Sequence, residues 1–189
     1  LIKNEDLVNC PNWLPVTFKI GKGSWINPAL EKIHSWHQEL NFKAGILKRR
    51  VTFSTKSGKK TTINEERVVH MADCHRAAIK YKIKPENYSG KITVRAGLDG
   101  AVENTGVARY RELNSKHLSS ISVNSFSNSC IYLKAKTNQS KITIYETAKI
   151  DIYNLSGRKV KPASKKTKKE NKGIYQEIEL KLKRNQTYQ

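Results

Sequence analysis

The sequence is poor in the residues that mark several protein classes. It holds three cysteines, Cys10, Cys74 and Cys130, and one methionine among 189 residues. Three cysteines this far apart match neither a disulfide scaffold nor a zinc motif, and free thiols suit a reducing compartment. No apolar run reaches the roughly eighteen residues that a membrane-spanning helix needs. We therefore expect a cytoplasmic protein with no membrane partner. The chain begins without an initiator methionine, which leaves an upstream targeting segment as an open alternative.

Acidic residues are also scarce. The chain has 36 lysines and arginines against 16 aspartates and glutamates, a formal net charge of +20. Such an excess is found in proteins that bind nucleic acids or anionic surfaces. Here the cations are spread over nearly every segment and lysine greatly outnumbers arginine, whereas base recognition and bidentate phosphate binding favour clustered arginines. We interpret the charge as solvated surface and expect no nucleic-acid partner. A basic nucleic-acid-binding domain is the weaker alternative.

Motifs for catalysis or metal binding are missing as well. The sequence has no nucleophile elbow and no phosphate loop. Glu65 and Glu66 are adjacent, and adjacent residues of a strand point to opposite faces, so this pair does not flank one glycosidic bond. His70, Cys74 and His75 lie close together, but His75 faces away from the other two in a strand and no third ligand is evident. We predict no catalytic, cofactor-binding or metal-binding residue in this chain.

What the sequence does contain is an alternation of apolar and polar side chains. The pattern predicts strands near 16–20, 51–55, 61–63, 74–84, 92–98, 131–135, 142–144 and 174–182. Short turns separate them, including Ser57–Lys60 and Pro85–Gly90. Strands with one apolar and one polar face are typical of antiparallel sheets covered on one side, and several of them imply two sheets packed face to face. The fold class that we predict is all-β, with little helix.

Two segments depart from this pattern. Residues 27–39 permit either a short helix that begins at Pro28 after an Asn27 cap or a strand. We favour a strand from about residue 33, because Trp36 and Leu40 would then share a face. Residues 158–172 are rich in lysine, contain Pro162 and have almost no apolar side chains. For these we predict a long, flexible basic loop between strands.

Exposed aromatic side chains would be the sign of a carbohydrate-binding module. The candidates for stacking on sugar rings are Trp13, Trp25, Trp36, Tyr110 and Tyr153. Tryptophans of a β-sandwich more often pack in the core or between domains, which is the interpretation that we favour. A stand-alone carbohydrate-binding module stays an alternative.

Four motifs in the first two thirds of the chain carry a family resemblance. They are Asn12–Trp13, the pattern Glu66-Arg67-x-x-x-Met71-x-Asp73, the turn Leu98–Gly100 followed by Asn104 and Gly106, and His117–Leu118. Together they resemble the N-terminal domain of glycoside hydrolase family 65, the family of maltose, trehalose and kojibiose phosphorylases. The resemblance extends from about Leu7 to Leu118. Asn41 and His70 depart from it, since the family usually has Asp and Ser there.

The resemblance implies a fold and a division of labour. The fold is an antiparallel β super-sandwich (the glycosidase N-terminal type, like galactose mutarotase), here a single truncated domain over residues 1–189. In the family this domain precedes an (α/α)6 barrel, which carries the general-acid glutamate and the phosphate-binding residues. That barrel is absent from this chain, so no catalytic residue is carried over. The implied partners are the enzyme's own C-terminal barrel and, in a homodimer, a second copy.

The implied activity belongs to the full-length enzyme. It would cleave an α-glucosidic disaccharide, with no cofactor and with inorganic phosphate as co-substrate if it is a phosphorylase. The loop after Leu98 is polar and contains glycine, and it supplies our candidate contacts with the barrel and the substrate entrance, Asp99, Asn104 and Arg109. The choice of disaccharide, and of phosphate or water as acceptor, rests with residues of the barrel.

Overall fold

The computed structural model of the chain describes residues 7–105, 115–154 and 156–189. Within these residues it has eleven strands and one 3-10 turn, and no α-helix. The strands are β1 (Val16–Ile20), β2 (Lys32–Asn41), β3 (Ile46–Ser54), β4 (Lys60–Val69), β5 (Ala77–Pro85), β6 (Gly90–Asp99), β7 (Leu118–Ser125), β8 (Cys130–Thr137), β9 (Thr143–Lys149), β10 (Ser164–Glu170) and β11 (Gly173–Leu182). The predicted all-β fold class is confirmed.

The strands form three sheets. Their orders are β1-β6-β11-β10, β2-β3-β4-β5 and β7-β8-β9, and the last two sheets are antiparallel throughout. The chain divides into two compact units. We call Thr17–Val94, Asp151–Ser164 and Ile178–Gln189 the β2–β5 unit, and the described residues of Leu1–Val16, Arg95–Ile150 and Lys165–Glu177 the β7–β9 unit. The boundary of one domain over residues 1–189 stays a prediction.

The core of the β2–β5 unit lies between two layers of strands. Phe53 of β3 is fully buried, and its ring centroid lies 6.4 Å from that of Phe18 of β1. Their apolar neighbours are Ile26, Val51, Ile63, Ile83, Ile92 and Leu182. Three of these residues lie side by side across β3, β4 and β5, since Val51 pairs with Ile63 and Ile63 pairs with Ile83. The face that carries this row is therefore the inner face of the β2–β5 sheet, as the alternation predicts.

The β7–β9 unit has a second core. Ile131, Leu133 and Ala135 of β8 are fully buried and pack with Leu98, Leu118 and Ile174. Gly97 permits a close approach of two backbones here. A Cβ atom at that position would overlap the carbonyl oxygen of Ile174 and would lie 2.7 Å from the Cα atom of Tyr175. Only glycine fits this contact.

The predicted basic loop at 158–172 is wrong over its second half, because Ser164–Glu170 forms β10. This strand is at the end of its sheet, where lysines oppose pairing with another chain. A turn of two residues, Asn171 and Lys172, joins it to β11, and both have positive φ, 45° and 64°. Such turns normally carry Asn-Gly, so Lys172 hides the hairpin from a sequence pattern.

The ambiguous segment 27–39 contains both of the structures that its sequence permits. Pro28–Leu30 forms a 3-10 turn whose Asn27 cap accepts a hydrogen bond from the backbone N–H of Ala29 at 3.1 Å. Strand β2 follows from Lys32 to Asn41, which confirms the predicted strand.

Candidate functional site

The first candidate residue, Asp99, ends strand β6 and lies against the N-terminal segment. Its backbone pairs with that of Asn12 through two hydrogen bonds of 2.7 and 2.9 Å. Its carboxylate accepts a hydrogen bond from the backbone N–H of Ala101 at 2.8 Å, which shapes the start of the loop. The Asn12-Trp13 and Leu98-Asp99-Gly100 motifs therefore meet in space.

The second candidate, Asn104, is buried with 8% of its surface exposed. Its side-chain oxygen accepts from the backbone N–H of Asn9 at 2.9 Å, and its amide donates to the carbonyl of Leu7 at 2.7 Å. An amide both donates and accepts, so one side chain holds both backbone groups in place. Asn104 thus joins the loop to the N-terminal segment of its own chain. Arg109 lies outside the described residues, and a contact of this loop with a barrel stays a prediction.

Glu65 lies at the centre of a charged cluster on the inner face of the β2–β5 sheet. It is only 4% exposed and accepts hydrogen bonds from the Arg49 guanidinium, at 2.5 Å, and from Arg67 Nε. Burial, and then the negative charge of Glu65, raise the pKa of the neighbouring Tyr81 hydroxyl. Two arginines neutralise the carboxylate and occupy its oxygens, so Glu65 has a structural role.

Glu66 is on the opposite face of β4, as predicted for adjacent strand residues. Its carboxylate lies 3.8 Å from Lys80 Nζ, and both side chains are exposed. The two carboxylates therefore do not face a common site, and they do not form the acid–base pair that glycosidic cleavage requires.

Glu146 of β9 is a candidate general acid that the sequence pattern did not reveal. It pairs in register with the buried Leu133, and its Oε2 atom is buried without a hydrogen-bond partner. Burial raises the pKa of this carboxyl to about 7, which is the range in which general acids operate. The only signal in the sequence is its place between Ile144 and Ala148 on the apolar face of β9.

The group His70, Cys74 and His75 belongs to a turn between β4 and β5. His70 Nδ1 accepts a hydrogen bond from the backbone N–H of Asp73 at 2.8 Å, and Asp73 forms an ion pair with Arg76 at 2.7 Å. Across residues 7–105, 115–154 and 156–189, no three His, Cys, Asp or Glu side chains are grouped so that they could hold a metal ion.

The aromatic candidates differ in how much of the ring is open. Trp13 packs against the core of the β7–β9 unit, and Tyr153 is half-buried. The ring centroid of Trp25 lies 4.8 Å from Lys19 Nζ. Trp36 of β2 is 59% exposed, so it is the tryptophan with a face available to a partner. Tyr110 lies outside the described residues.

The sequence model of "Glycosyl hydrolase family 65, N-terminal domain" matches residues 2–189. The chain belongs to this family. The family 65 domain is 34% identical over 172 residues to an uncharacterized glycosyl hydrolase of Mycobacterium tuberculosis, a match covering 91% of the domain and 13% of that protein. It is 31% identical over 151 residues to a kojibiose phosphorylase of Caldanaerobacter subterraneus, covering 80% of the domain and 19% of the enzyme.

A third relative is a kojibiose phosphorylase of Halothermothrix orenii, with 37% identity over 107 residues, 57% of the domain and 14% of that enzyme. The family 65 domain therefore spans less than a fifth of the length of these three relatives. In the part of the chain that the structure describes, no helix has the length and apolar character to cross a membrane.

Proposed function

We propose that this family 65 domain is a non-catalytic scaffold for a catalytic barrel that follows it in the full-length enzyme. The observation that supports this most is the state of its buried carboxyls. Glu65 is held between two arginines. Among the described residues, Glu146 Oε2 has no hydrogen-bond partner, and burial alone, with no neighbouring carboxylate, raises the pKa of Glu146. Inverting cleavage of a glycosidic bond needs an acid and a base or nucleophile on opposite sides of the sugar.

The proposed reaction of the full-length enzyme is cleavage of an α-glucosidic disaccharide. Support comes from relatives that are named kojibiose phosphorylase and α,α-trehalose phosphorylase. If the enzyme is a phosphorylase, inorganic phosphate is its co-substrate. We place it in the cytoplasm, which the three free cysteines favour.

The proposed contributions of the domain are contact with the barrel and assembly of a homodimer. The loop that begins at Asp99 is the proposed contact with the barrel, because its backbone is held by Asn12 and Asn104 while the Glu103 side chain next to them is exposed. A segment anchored at Asp99 and Asn104 with an exposed polar side chain beside them suits an interface between domains.

The test compares the isolated 189-residue chain with the full-length enzyme. Each is incubated with kojibiose or trehalose, with and without phosphate, and released glucose and glucose 1-phosphate are measured. We expect turnover by the full-length enzyme and none by the isolated chain. Turnover by the isolated, folded chain would contradict the scaffold role.

Carbohydrate binding is a second candidate function, and the exposed Trp36 is the observation that favours it. An exposed indole face on a strand suits stacking against a sugar ring. Titration of the isolated chain with disaccharides, followed by tryptophan fluorescence, measures this. Saturable binding that Trp36→Ala abolishes would support it, and the same titration with Trp25→Ala is the matched control.

A further inference from the structure

In the part of the chain that the structure describes, strand β2 has a free edge along its full length. It is the terminal strand of the β2–β5 sheet, and among the described residues it pairs only with β3. Its ten residues are exposed apart from the half-buried Asn41 at its end. On the inner face it presents Trp36, 59% exposed, and Leu40, 50% exposed. An exposed, apolar edge strand is a template for pairing with another strand.

Four of the other five strands at sheet ends have features that oppose such pairing. The carbonyl and N–H of Ile83 on β5 are already bridged to Tyr188. Strand β1 has only five residues, β7 carries a bulge after Ser119, and β10 is lysine-rich. Short, bulged, lysine-rich or covered edges are the usual protections against association. Over its regular segment, β2 has none of these.

The regular segment of β2 is self-complementary. Its register with β3 is uninterrupted from Ser35 to Asn41, after an irregularity between Ile33 and Ser35. The middle residue is Gln38. If a second copy of β2 lies antiparallel to the first about a two-fold axis at Gln38, Trp36 faces Leu40 of the other copy and His37 faces Glu39.

These cross-strand pairs match in chemistry on both faces. Trp36 and Leu40 are on the inner face with Gln38, and both are half-exposed apolar side chains without a described partner element over them. His37 and Glu39 are on the outer face, and their side chains lie 3.8 Å apart within one strand. Facing aromatic–aliphatic and acid–base pairs stabilise antiparallel strands. In this arrangement the two Gln38 amides would donate to and accept from each other, since an amide does both.

We propose that β2 pairs with β2 of a second copy of this chain, antiparallel and centred on Gln38, to form a continuous sheet across a two-fold axis. An isologous contact requires a surface that complements itself, and the segment Ser35–Asn41 does so. This inference rests on the homodimer part of the proposed function and names its surface. The contact is small, so we expect the isolated chain to associate weakly. In the full-length enzyme we expect further contacts to enlarge the interface.

The decisive test is cross-linking at the two-fold axis in the full-length enzyme. Facing residues of antiparallel strands have Cα atoms about 4.5–5.5 Å apart, which matches a disulfide. Gln38→Cys is made with the exposed Cys10 and Cys74 replaced by serine, and is oxidised under mild conditions. We expect a cross-linked dimer on non-reducing gels.

Glu39→Cys in the same background is the matched control. It is the next residue on the same exposed strand, but its Cα atom would lie about 8 Å from its equivalent across the axis, beyond the reach of a disulfide. We expect cross-linking at position 38 to exceed that at 39 at least tenfold. Equal yields at the two positions, or no cross-link at 38, would overturn the proposed pairing.

Sedimentation measurements distinguish the proposed β2–β2 surface from a homodimer that forms through another surface. Gln38→Lys places two ammonium groups face to face at the axis, while Ser35→Lys adds the same charge opposite Asn41 of the other copy. We expect Gln38→Lys to weaken dimerisation at least tenfold and Ser35→Lys to change it less than threefold. A dimer that resists Gln38→Lys overturns this surface and leaves the homodimer standing. A wild-type enzyme that is monomeric throughout overturns both.

Discussion

Replacing Glu146 by glutamine removes a half-buried carboxyl whose pKa is raised into the neutral range. The ordinary value is 4.5 and burial raises it to about 7 in the folded protein. The folded state therefore holds a proton that the unfolded state has released between these two values. The contribution of Glu146 to the free energy of unfolding is complete below about pH 4.5, falls as the pH rises towards 7, and does not change further above that. Glu146→Gln is neutral at every pH and should abolish this loss.

The magnitude follows from the same two values. At 1.36 kcal/mol per pKa unit, the pKa change bounds the loss at about 3 kcal/mol. The side chain is only half-buried, so solvent screening reduces this to about 1–2 kcal/mol. The two oxygens differ, because Oε2 is the buried atom without a partner. The protonated carboxyl is neutral, so it needs no counter-charge in these apolar surroundings.

Urea denaturation of the isolated chain at pH 5 and pH 8 measures this effect. We expect the free energy of unfolding of Glu146→Gln to exceed that of the wild type by about 1–2 kcal/mol at pH 8 and to match it at pH 5. Glu103→Gln, an exposed carboxylate of the same unit, is the control and should show no such difference. Equal pH dependence of wild type and Glu146→Gln would refute the burial argument.

Three further substitutions test the β7–β9 unit. Gly97→Ala should destabilise the chain by more than 3 kcal/mol, since backbone atoms of Ile174 and Tyr175 leave no room for a methyl group; thermal unfolding measures this. Lys172→Gly should raise the free energy of unfolding by about 0.5–1 kcal/mol, because its φ of 64° favours glycine, and no gain in a urea titration would contradict it. Asn104→Ala should cost about 1–3 kcal/mol and speed hydrogen exchange at the Asn9 amide, and unchanged exchange would speak against the observed bond.

Most of the fold was predictable where apolar and polar residues alternate. Strand β8 and much of β5 and β11 have buried residues at every second position, which is the signal of a sheet covered on one face, whereas β3, β4 and β6 also bury adjacent residues. Strand β10 escaped because an edge strand protected by lysines looks like a solvated loop. Strand β7, Leu118–Ser125, is mainly serine and asparagine and carries a bulge at Ser119–Ser122, so its pattern is faint.

The candidate site was harder to predict than the fold. The separation of Glu65 and Glu66 follows from strand geometry alone, and the register confirms it. The role of Asn104 did not follow, because its partners Leu7 and Asn9 are about 95 residues away in the chain. Glu146 was also missed, since one acidic residue on an otherwise apolar face looks like an interruption of the pattern. The roles of both residues depend on long-range contacts, which a sequence pattern does not contain.

The main alternative to a non-catalytic scaffold is that Glu146 takes part in catalysis, because a carboxyl with a pKa of about 7 is suited to act as a general acid. The turnover number of full-length Glu146→Gln on kojibiose and on trehalose, at saturating substrate and phosphate, decides between them. If the catalytic groups lie outside this domain, kcat stays within about threefold of the wild type while the pH dependence of stability changes. A loss of about 10³-fold or more in kcat, in an enzyme whose melting temperature is retained, would place a catalytic residue in the family 65 domain and contradict the scaffold role.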